Sequence, residues 1–210
     1  LAGLFFLLTI VGGIIAEGVI SPRFIVSSDA TATAANIQAN PQLFQLAFTV
    51  YLLEMVSQIV QVALFYRLLR PSGPNAALAS AVIELAGCTI KTFARVFYVA
   101  PLLILGGASY LSVFTAPQLQ ALAMLSLKIN SQGAALALAF FGFSALLQGY
   151  LILRSTFLPK FLGWISVLGG VGWLTFLYPP LGYQVFPIAA LIGLVGAVAT
   201  LIYLDTHVVA

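Results

Sequence analysis

The sequence predicts an all-α fold, a six-helix transmembrane bundle with short interfacial helices on the outer side. Of the 210 residues, 62% are hydrophobic and only 6% are charged, whereas soluble domains carry about 25% charged residues. The apolar runs are continuous and lack the alternation that the strands of a membrane barrel need. Because a backbone in hydrocarbon must satisfy its own hydrogen bonds, these runs are predicted to be helices.

Six runs reach about 20 mainly apolar residues, the length that crosses a bilayer. Turn-forming residues separate them, so residues 1–210 are predicted to form a single integral membrane domain. The first run lacks a basic leader and a cleavage site, which favours a retained helix over a signal peptide. The predicted spans cover about residues 1–20, 44–69, 76–106, 133–153, 160–178 and 184–204.

The first three spans end at clear breakers. Ser21 and Pro22 close the first span, residues 71–75 (Pro-Ser-Gly-Pro-Asn) close the second, and Pro101 is expected to kink the far end of the third. Between the first two spans, Asp29 precedes an alanine-rich run over residues 30–39. This pattern is typical of a short helix capped by aspartate and lying at the membrane interface.

Thr115 and Pro117 indicate another helix start before the fourth span. The segment that follows contains Lys128 and the polar residues 130–132, so a short interfacial helix is predicted there, with the span beginning only at Gly133. Arg154 and Lys160 bracket the next loop, and residues 179–180, both proline, are expected to separate the last two spans.

Loop charges predict the orientation. Arg67, Arg70, Arg154 and Lys160 flank the turns after the second and fourth spans, whereas the opposite loops offer only Arg23 and Lys128. The positive-inside rule then makes those two turns and both termini cytoplasmic. We expect the protein to lie in the cytoplasmic (inner) membrane of a bacterium as a multi-pass protein.

Ionisable residues within the spans are the strongest functional signal, because a charge at the bilayer centre costs at least about 2.5 to 3.5 kcal/mol. Those of the third span are seven and four residues apart and share one helical face. In the second span, Glu54 and two glutamines are spaced by four and three and also share a face. The candidate ligand or ion cluster consists of Glu17, Glu54, Gln58, Gln61, Glu84, Lys91 and Arg95.

Depth along the helices predicts the pairing within this cluster. Lys91 is expected to pair with Glu54, and Arg95 with Glu17 or Glu54. Glu84 then lies deeper, opposite Gln61. The cluster has one carboxylate in excess, so one carboxyl group is expected to be protonated or to be matched by something outside the chain, and Glu84 is the candidate. The functional interpretation is a polar cavity between the first three spans that binds an ion, a proton or a small polar headgroup. The alternative is that these groups only hold the helices together.

Other features favour packing or exclude a class of site. Cys88 is the sole cysteine and His207 the sole histidine, so no metal site is predicted. Gly142 and Gly149, like Gly193 and Gly196, are interpreted as packing seams. No catalytic motif is present, the catalytic residues and cofactors stay unknown, and no nucleic acid partner is indicated. An interfacial aromatic belt is predicted for Trp164, Trp173, Tyr178 and Tyr183.

Four segments carry a resemblance to a known family. They are LAGLFFLLTIVGGIIAEG (1–18), IVSSDATATAANIQANPQLF (25–44), LFYRLLRP (64–71) and FFGFSALLQGYLILRSTFLPKFLGW (140–164). The chain resembles, over nearly its whole length, a family of small bacterial membrane proteins described as domain of unknown function 4386. The resemblance implies a six-helix topology and implies no known activity.

Three functions are compatible with these observations. The first is a small-molecule or lipid binding or transport protein that uses the buried polar cluster. The second is a non-catalytic accessory subunit of a larger membrane complex, with other membrane subunits as partners. The third is an intramembrane enzyme acting on a lipid or isoprenoid. Membrane lipids are the partners expected in every case, and the sequence leans away from an enzyme.

Overall fold

A computed structural model describes residues 1–207, with the side chains of Asp205 and His207 outside the description. These residues form helices joined by short turns, and no strand occurs among them. Six helical segments are long and apolar enough to cross a membrane, so the chain is a multi-pass helical membrane protein. The α-helices are α1 (Ala2–Gly13), α2 (Ala30–Ala39), α3 (Pro41–Leu69), α4 (Pro74–Ile104), α5 (Ala116–Arg154), α6 (Lys160–Leu174) and α7 (Pro179–His207).

The six spanning helices form a closed ring. In chain order α1 packs against α3, α3 against α4, α4 against α5, α5 against α6 and α6 against α7, and α7 returns to α1. The closing contact is tight at one end, where a Cβ on Gly3 would lie 2.5 Å from Leu201 Cα. The ring encloses a central space, which contains the candidate site.

The first span is not one regular α-helix. After Gly13 the chain continues as a π-helix over Ile14–Ile20 and ends in a 3-10 turn over Ser21–Arg23. The sequence prediction missed this change of helix type. π-Helical turns are rare and occur often at functional sites, and this one carries Glu17.

The short helix after the first span is confirmed with its predicted bounds. It covers Ala30–Ala39, and the Asp29 side chain accepts a hydrogen bond from the Ala32 backbone N–H at 2.8 Å. A hydrogen bond from Thr31 to Gln120 ties α2 to α5. We refer to this end of the ring as the α2 end, and to the end with the turns at residues 70–73 and 155–159 as the basic-turn end.

The predicted break before the fourth span is wrong. Residues 116–154 form one continuous helix of 39 residues, without a separate interfacial helix. Polar residues do not interrupt it because they find partners: Asn130 accepts a bond from Arg95, and Ser131 Oγ donates to the Leu127 carbonyl. Gly133 lies inside the helix, where a Cβ would meet that of Ala94 at 2.6 Å.

One proline prediction also needs correction, and the kink expected at Pro101 stays a prediction. Residues 179–180 do not precede the last span but begin it, since α7 starts at Pro179. Proline is well accommodated in the first turn, because its missing N–H would have no helical partner there. Pro101 lies inside α4, which ends three residues later at Ile104.

Small residues make the contact between α5 and α6, as the sequence predicts for Gly142 and Gly149. A Cβ on Gly142 would lie 2.9 Å from the Gly170 carbonyl oxygen, and one on Gly149 would lie 2.8 Å from the Gly163 carbonyl oxygen. The helices touch through their backbones here. This seam leaves little room for side chains on that side of α5.

A buried apolar cluster lies toward each end of the ring. The cluster at the α2 end contains several aromatic residues, and in it the Phe44 ring stacks on the Tyr98 ring with centroids 4.6 Å apart. At the basic-turn end, Phe65, Leu69, Leu151, Leu158 and Leu162 pack together. The central space lies between these two clusters, at mid-height in the bundle.

Candidate functional site

A cavity of about 600 Å³ occupies the centre of the ring. All six spanning helices line it, whereas the sequence analysis placed a polar cavity between the first three only. The prediction was too narrow because closure of the ring depends on tertiary contacts between α1 and α7, which no local pattern reveals. The lining divides into a polar wall on α3, α4 and α5 and an apolar wall on α1, α6 and α7.

Lys91 and Glu54 form the inner ion pair of the polar wall. The Lys91 ammonium donates to Glu54 Oε1 at 2.6 Å, and their side chains are only 12% and 3% exposed. This confirms the predicted pair. Gly12 and Gly13 let α1 approach it, since a Cβ on Gly13 would lie 3.4 Å from Glu54 Oε1. The pair therefore joins α1, α3 and α4.

Arg95 and Glu17 form the outer ion pair, nearer the α2 end. Arg95 donates to Glu17 Oε1 at 3.3 Å, as one of the two predicted pairings requires. The Arg95 side chain is 1% exposed, but that of Glu17 is 48% exposed. Asn130 accepts a further Arg95 bond at 3.1 Å, and the Tyr51 ring centroid lies 3.6 Å from the guanidinium carbon. Arg95 of α4 therefore contacts residues of the first span, α3 and α5.

Glu84 lies deeper and has no ion-pair partner among the described residues. Its Oε2 accepts hydrogen bonds from Ser144 Oγ at 2.8 Å and from Gln148 Nε2 at 2.6 Å. Both donors belong to α5, whereas the sequence analysis expected Glu84 to face Gln61 on α3. A third bond joins Ser80 and Ser144 at 2.8 Å. This carboxyl group is bound by neutral donors alone.

Two buried acceptor atoms of the polar wall have no hydrogen-bond partner among the described residues. They are Glu54 Oε2 and Gln61 Oε1. Both residues line the cavity, and each is 4% exposed overall. A buried acceptor without a donor costs about 1 to 3 kcal/mol, so these atoms mark positions where a bound molecule would add a bond.

The apolar wall is built around aromatic side chains. Trp173 of α6 and Phe176 of the 3-10 turn after it face Tyr183 and Phe186 of α7, with ring centroids 5.4 to 6.3 Å apart. The predicted aromatic belt is wrong for Trp173, which lines the cavity, whereas Tyr183 lines the cavity and is also 50% exposed. Trp164 and Tyr178 are exposed on the outside of the ring. Aromatic residues can point inward here because small residues on the facing helices leave the space.

The α2 end is where the cavity approaches the surface. The lining residues Glu17, Gly18, Tyr183 and Phe186 are exposed there. The Tyr183 hydroxyl donates to the Ser131 carbonyl at 3.3 Å, which links α7 to α5 beside this opening. At the opposite end Phe65, Ile152 and Leu162 line the cavity floor and belong to the buried cluster.

The structure brings the predicted cluster together, apart from Arg95, which lies behind Glu17 rather than on the cavity lining. The sequence analysis missed the contribution of α5. Ser144 and Gln148 are four residues apart on one face of an otherwise apolar stretch, a spacing that could have identified them. Asn130 was missed because its polarity was interpreted as a sign of a loop.

Cys88 is buried beside the polar wall and is not part of the cavity lining. Within the described part of the chain, no three His, Cys, Asp or Glu side chains come close enough to hold a metal ion. His207, the isolated histidine of the sequence analysis, lies outside the described side chains. The chemistry of the cavity therefore depends on its carboxylates, amides, hydroxyls and one ammonium group.

Comparison with known proteins gives one family match. A family model described as "Domain of unknown function (DUF4386)" matches residues 1–204. No curated protein and no solved structure matches the chain.

Proposed function

We propose that this chain, which belongs to the DUF4386 family, binds a small amphipathic molecule or a membrane lipid in its central cavity. The observation that carries the proposal is the two-sided lining of a cavity of about 600 Å³. Ligand sites commonly have volumes of about 300 to 1,000 Å³, mostly apolar walls and a few polar groups that fix orientation. A polar head against α3, α4 and α5, with an apolar part against α6 and α7, matches this lining.

The same polar groups could merely hold helices together, and the unpaired atoms argue against that alternative. Groups that serve only as helix contacts would be expected to pair completely, because an unmet acceptor destabilises the fold. Six buried side-chain atoms lack partners within the described residues, and Glu54 Oε2 and Gln61 Oε1 are the two whose residues line the cavity. A binding role explains both the space and the incomplete pairing.

The other two functions have less support. An accessory subunit needs an outer surface for its partner and has no use for an internal cavity of this size. An intramembrane enzyme would use the same cavity, and Glu84 with two neutral donors could hold a proton there. No observation assigns a reaction, so binding, with transport as its extension, is the function that the geometry favours.

Native mass spectrometry of protein purified from bacterial membranes in mild detergent tests this proposal. Ala190 lines the cavity, whereas Leu191 is 61% exposed on the outside of the same helix. We expect a bound small molecule or lipid on the wild type and on Leu191→Trp, the matched control, and its loss from Ala190→Trp. Equal bound masses on both variants, or none on any of the three proteins, would contradict a cavity ligand.

The orientation in the membrane is also a proposal, supported by the loop arginines and lysines. We propose that the chain lies in the cytoplasmic membrane with the basic-turn end, and both termini, on the cytoplasmic side. Asn75 and Ser28 are exposed at opposite ends of the ring, and the native Cys88 is buried. With a membrane-impermeant maleimide on intact cells, Ser28→Cys should react and Asn75→Cys should not. The reverse pattern means an inverted protein.

A further inference from the structure

We propose that the cavity selects an organic cation with N–H donors, of the primary alkylammonium class, with its alkyl part against the aromatic wall. This inference rests on the proposed function and adds the chemical class of the ligand. It is carried by the charges of the lining, by its unpaired acceptors and by the position of its apolar surface.

The charges of the cluster do not balance. Glu17, Glu54 and Glu84 contribute three carboxylates, and the available cations are Lys91 and Arg95, each already bound to one of the first two carboxylates. No other charged side chain of the described residues lines the cavity. Glu84 is the carboxyl group without a cationic partner among the described residues. A cation bound beside it would complete the set, whereas an anion would add to the imbalance.

The unpaired acceptor atoms also favour a cation that carries N–H donors. Glu54 Oε2 and Gln61 Oε1 are both acceptors and are both buried, so a ligand satisfies them only by donating hydrogen bonds. They belong to residues seven positions apart, two turns along one face of α3. An ammonium group carries three N–H donors, so it can donate to one of these acceptors or to Glu84. A quaternary ammonium would supply charge without donors.

Lys91 is the one cavity-lining group that would favour an anion. Its ammonium is committed to Glu54 at 2.6 Å and faces the Phe141 ring at 5.9 Å. An anion would have to compete with Glu54 for this single charge, in the presence of two further carboxylates. The local field around the polar wall therefore favours a positive headgroup over a negative one.

The apolar part of such a ligand has a defined place. Trp173 and Phe186 lie across the cavity from the polar wall, and their ring centroids are 6.0 Å apart. Gly193 lies beside Trp173, where even an added Cβ would approach its ring no closer than 3.7 Å. A short alkyl chain can lie along this surface while the head faces α3 and α4.

Trp173 also provides the assay. The chain has two tryptophans, and Trp164 is exposed on the outside, so Trp164→Phe leaves Trp173 as the only indole reporter, inside the cavity. The variant, in maltoside micelles, is titrated with four octyl compounds that differ only in the head: octylammonium, octyltrimethylammonium, octanol and octanoate. Ala190→Trp, made in the wild-type sequence, fills the cavity and is the variant expected to lose the bound molecule in native mass spectrometry.

We expect octylammonium to change Trp173 fluorescence at the lowest concentration, followed by octyltrimethylammonium, then octanol, with octanoate weakest. Equal binding of all four compounds, or tightest binding of octanoate, would overturn the cation inference and leave a cavity ligand in place. If none of them binds although native mass spectrometry shows a bound molecule, the cation inference alone fails. If no molecule is found bound by either method, the proposed function fails with it.

A charge-neutral variant isolates the carboxylate. In the Trp164→Phe background, Glu84→Gln should weaken octylammonium binding at least about tenfold, as for one lost charge-assisted contact, and leave octanol binding unchanged. The unchanged octanol titration shows that the variant is folded. Asp29→Asn, which removes a carboxylate outside the cavity and keeps the acceptor that caps α2, is the matched control. Equal effects of both variants on octylammonium binding would overturn the inference.

Discussion

The two ion pairs of the cluster are only one helical turn apart on α4, yet their surroundings differ. Lys91 and Glu54 are both buried and bind each other at 2.6 Å, with one Glu54 oxygen left unpaired. Arg95 is buried too, but its partner Glu17 is 48% exposed, and Asn130 and Tyr51 share the guanidinium. The inner pair depends on one mutual contact, whereas the outer pair has alternatives. Removing one partner of the inner pair should therefore destabilise the protein strongly, whereas removing Glu17 from the outer pair should destabilise it only mildly.

The largest effect is expected from breaking the inner pair. Lys91→Met alone and Glu54→Leu alone each leave a buried charge without its partner, which costs about 3 to 5 kcal/mol, whereas replacing both is often neutral. Each single variant should lower the melting temperature of the detergent-solubilised protein, and the double variant should recover much of the loss. Leu53→Met, on the exposed face of α3, is the control. Single variants that melt like the wild type would mean that the pair contributes nothing.

A smaller effect is expected from the outer pair. Glu17→Gln keeps the shape of the side chain, and Arg95 retains Asn130 and the Tyr51 ring, so we expect a loss of about 1 kcal/mol, typical of a partly exposed pair. The melting temperature, measured alongside the Glu54→Leu variant, should fall by less than half as much. A loss equal to that of Glu54→Leu would remove the contrast between the two pairs.

The smallest expected effect is the change that salt makes to the melting-temperature difference between the wild type and Glu17→Gln. Because Glu17 is half exposed, its interaction with Arg95 is screened at high ionic strength, while a buried pair is screened much less. The difference in melting temperature between the wild type and Glu17→Gln should therefore shrink between low and high sodium chloride. The difference for Lys91→Met should persist. If both melting-temperature differences change equally with salt, the two pairs lie in similar environments and the contrast between them is wrong.

Much of this arrangement could be predicted from the sequence. Asp29 ahead of an alanine-rich run gave α2 with its bounds, because a capping side chain acts within one turn and needs no tertiary information. The pairing of Lys91 with Glu54 followed from helical periodicity and depth. These inferences succeeded because the residue spacing fixes which side chains share one helical face.

The misses have a common physical origin. Asn130 and Ser131 were interpreted as too polar for a spanning helix, yet Asn130 accepts a hydrogen bond from Arg95, and Ser131 donates one to the Leu127 carbonyl one turn earlier. Whether a polar residue ends a helix depends on partners elsewhere in the chain. For the same reason, the donors to Glu84 and the inward turn of Trp173 could not be deduced from local patterns. The π-helix at Glu17 likewise has no sequence signature.

The length of α5 has a mechanical consequence. A helix of 39 residues is about 58 Å long at 1.5 Å per residue, roughly twice the thickness of the hydrocarbon core. One end binds α2 through Gln120, and further along the same rod Ser144 and Gln148 hold Glu84. No proline interrupts the rod between those points. Because one continuous helix carries both contacts, a rigid-body tilt of α5 would move the α2 contact and the two donors of Glu84 together.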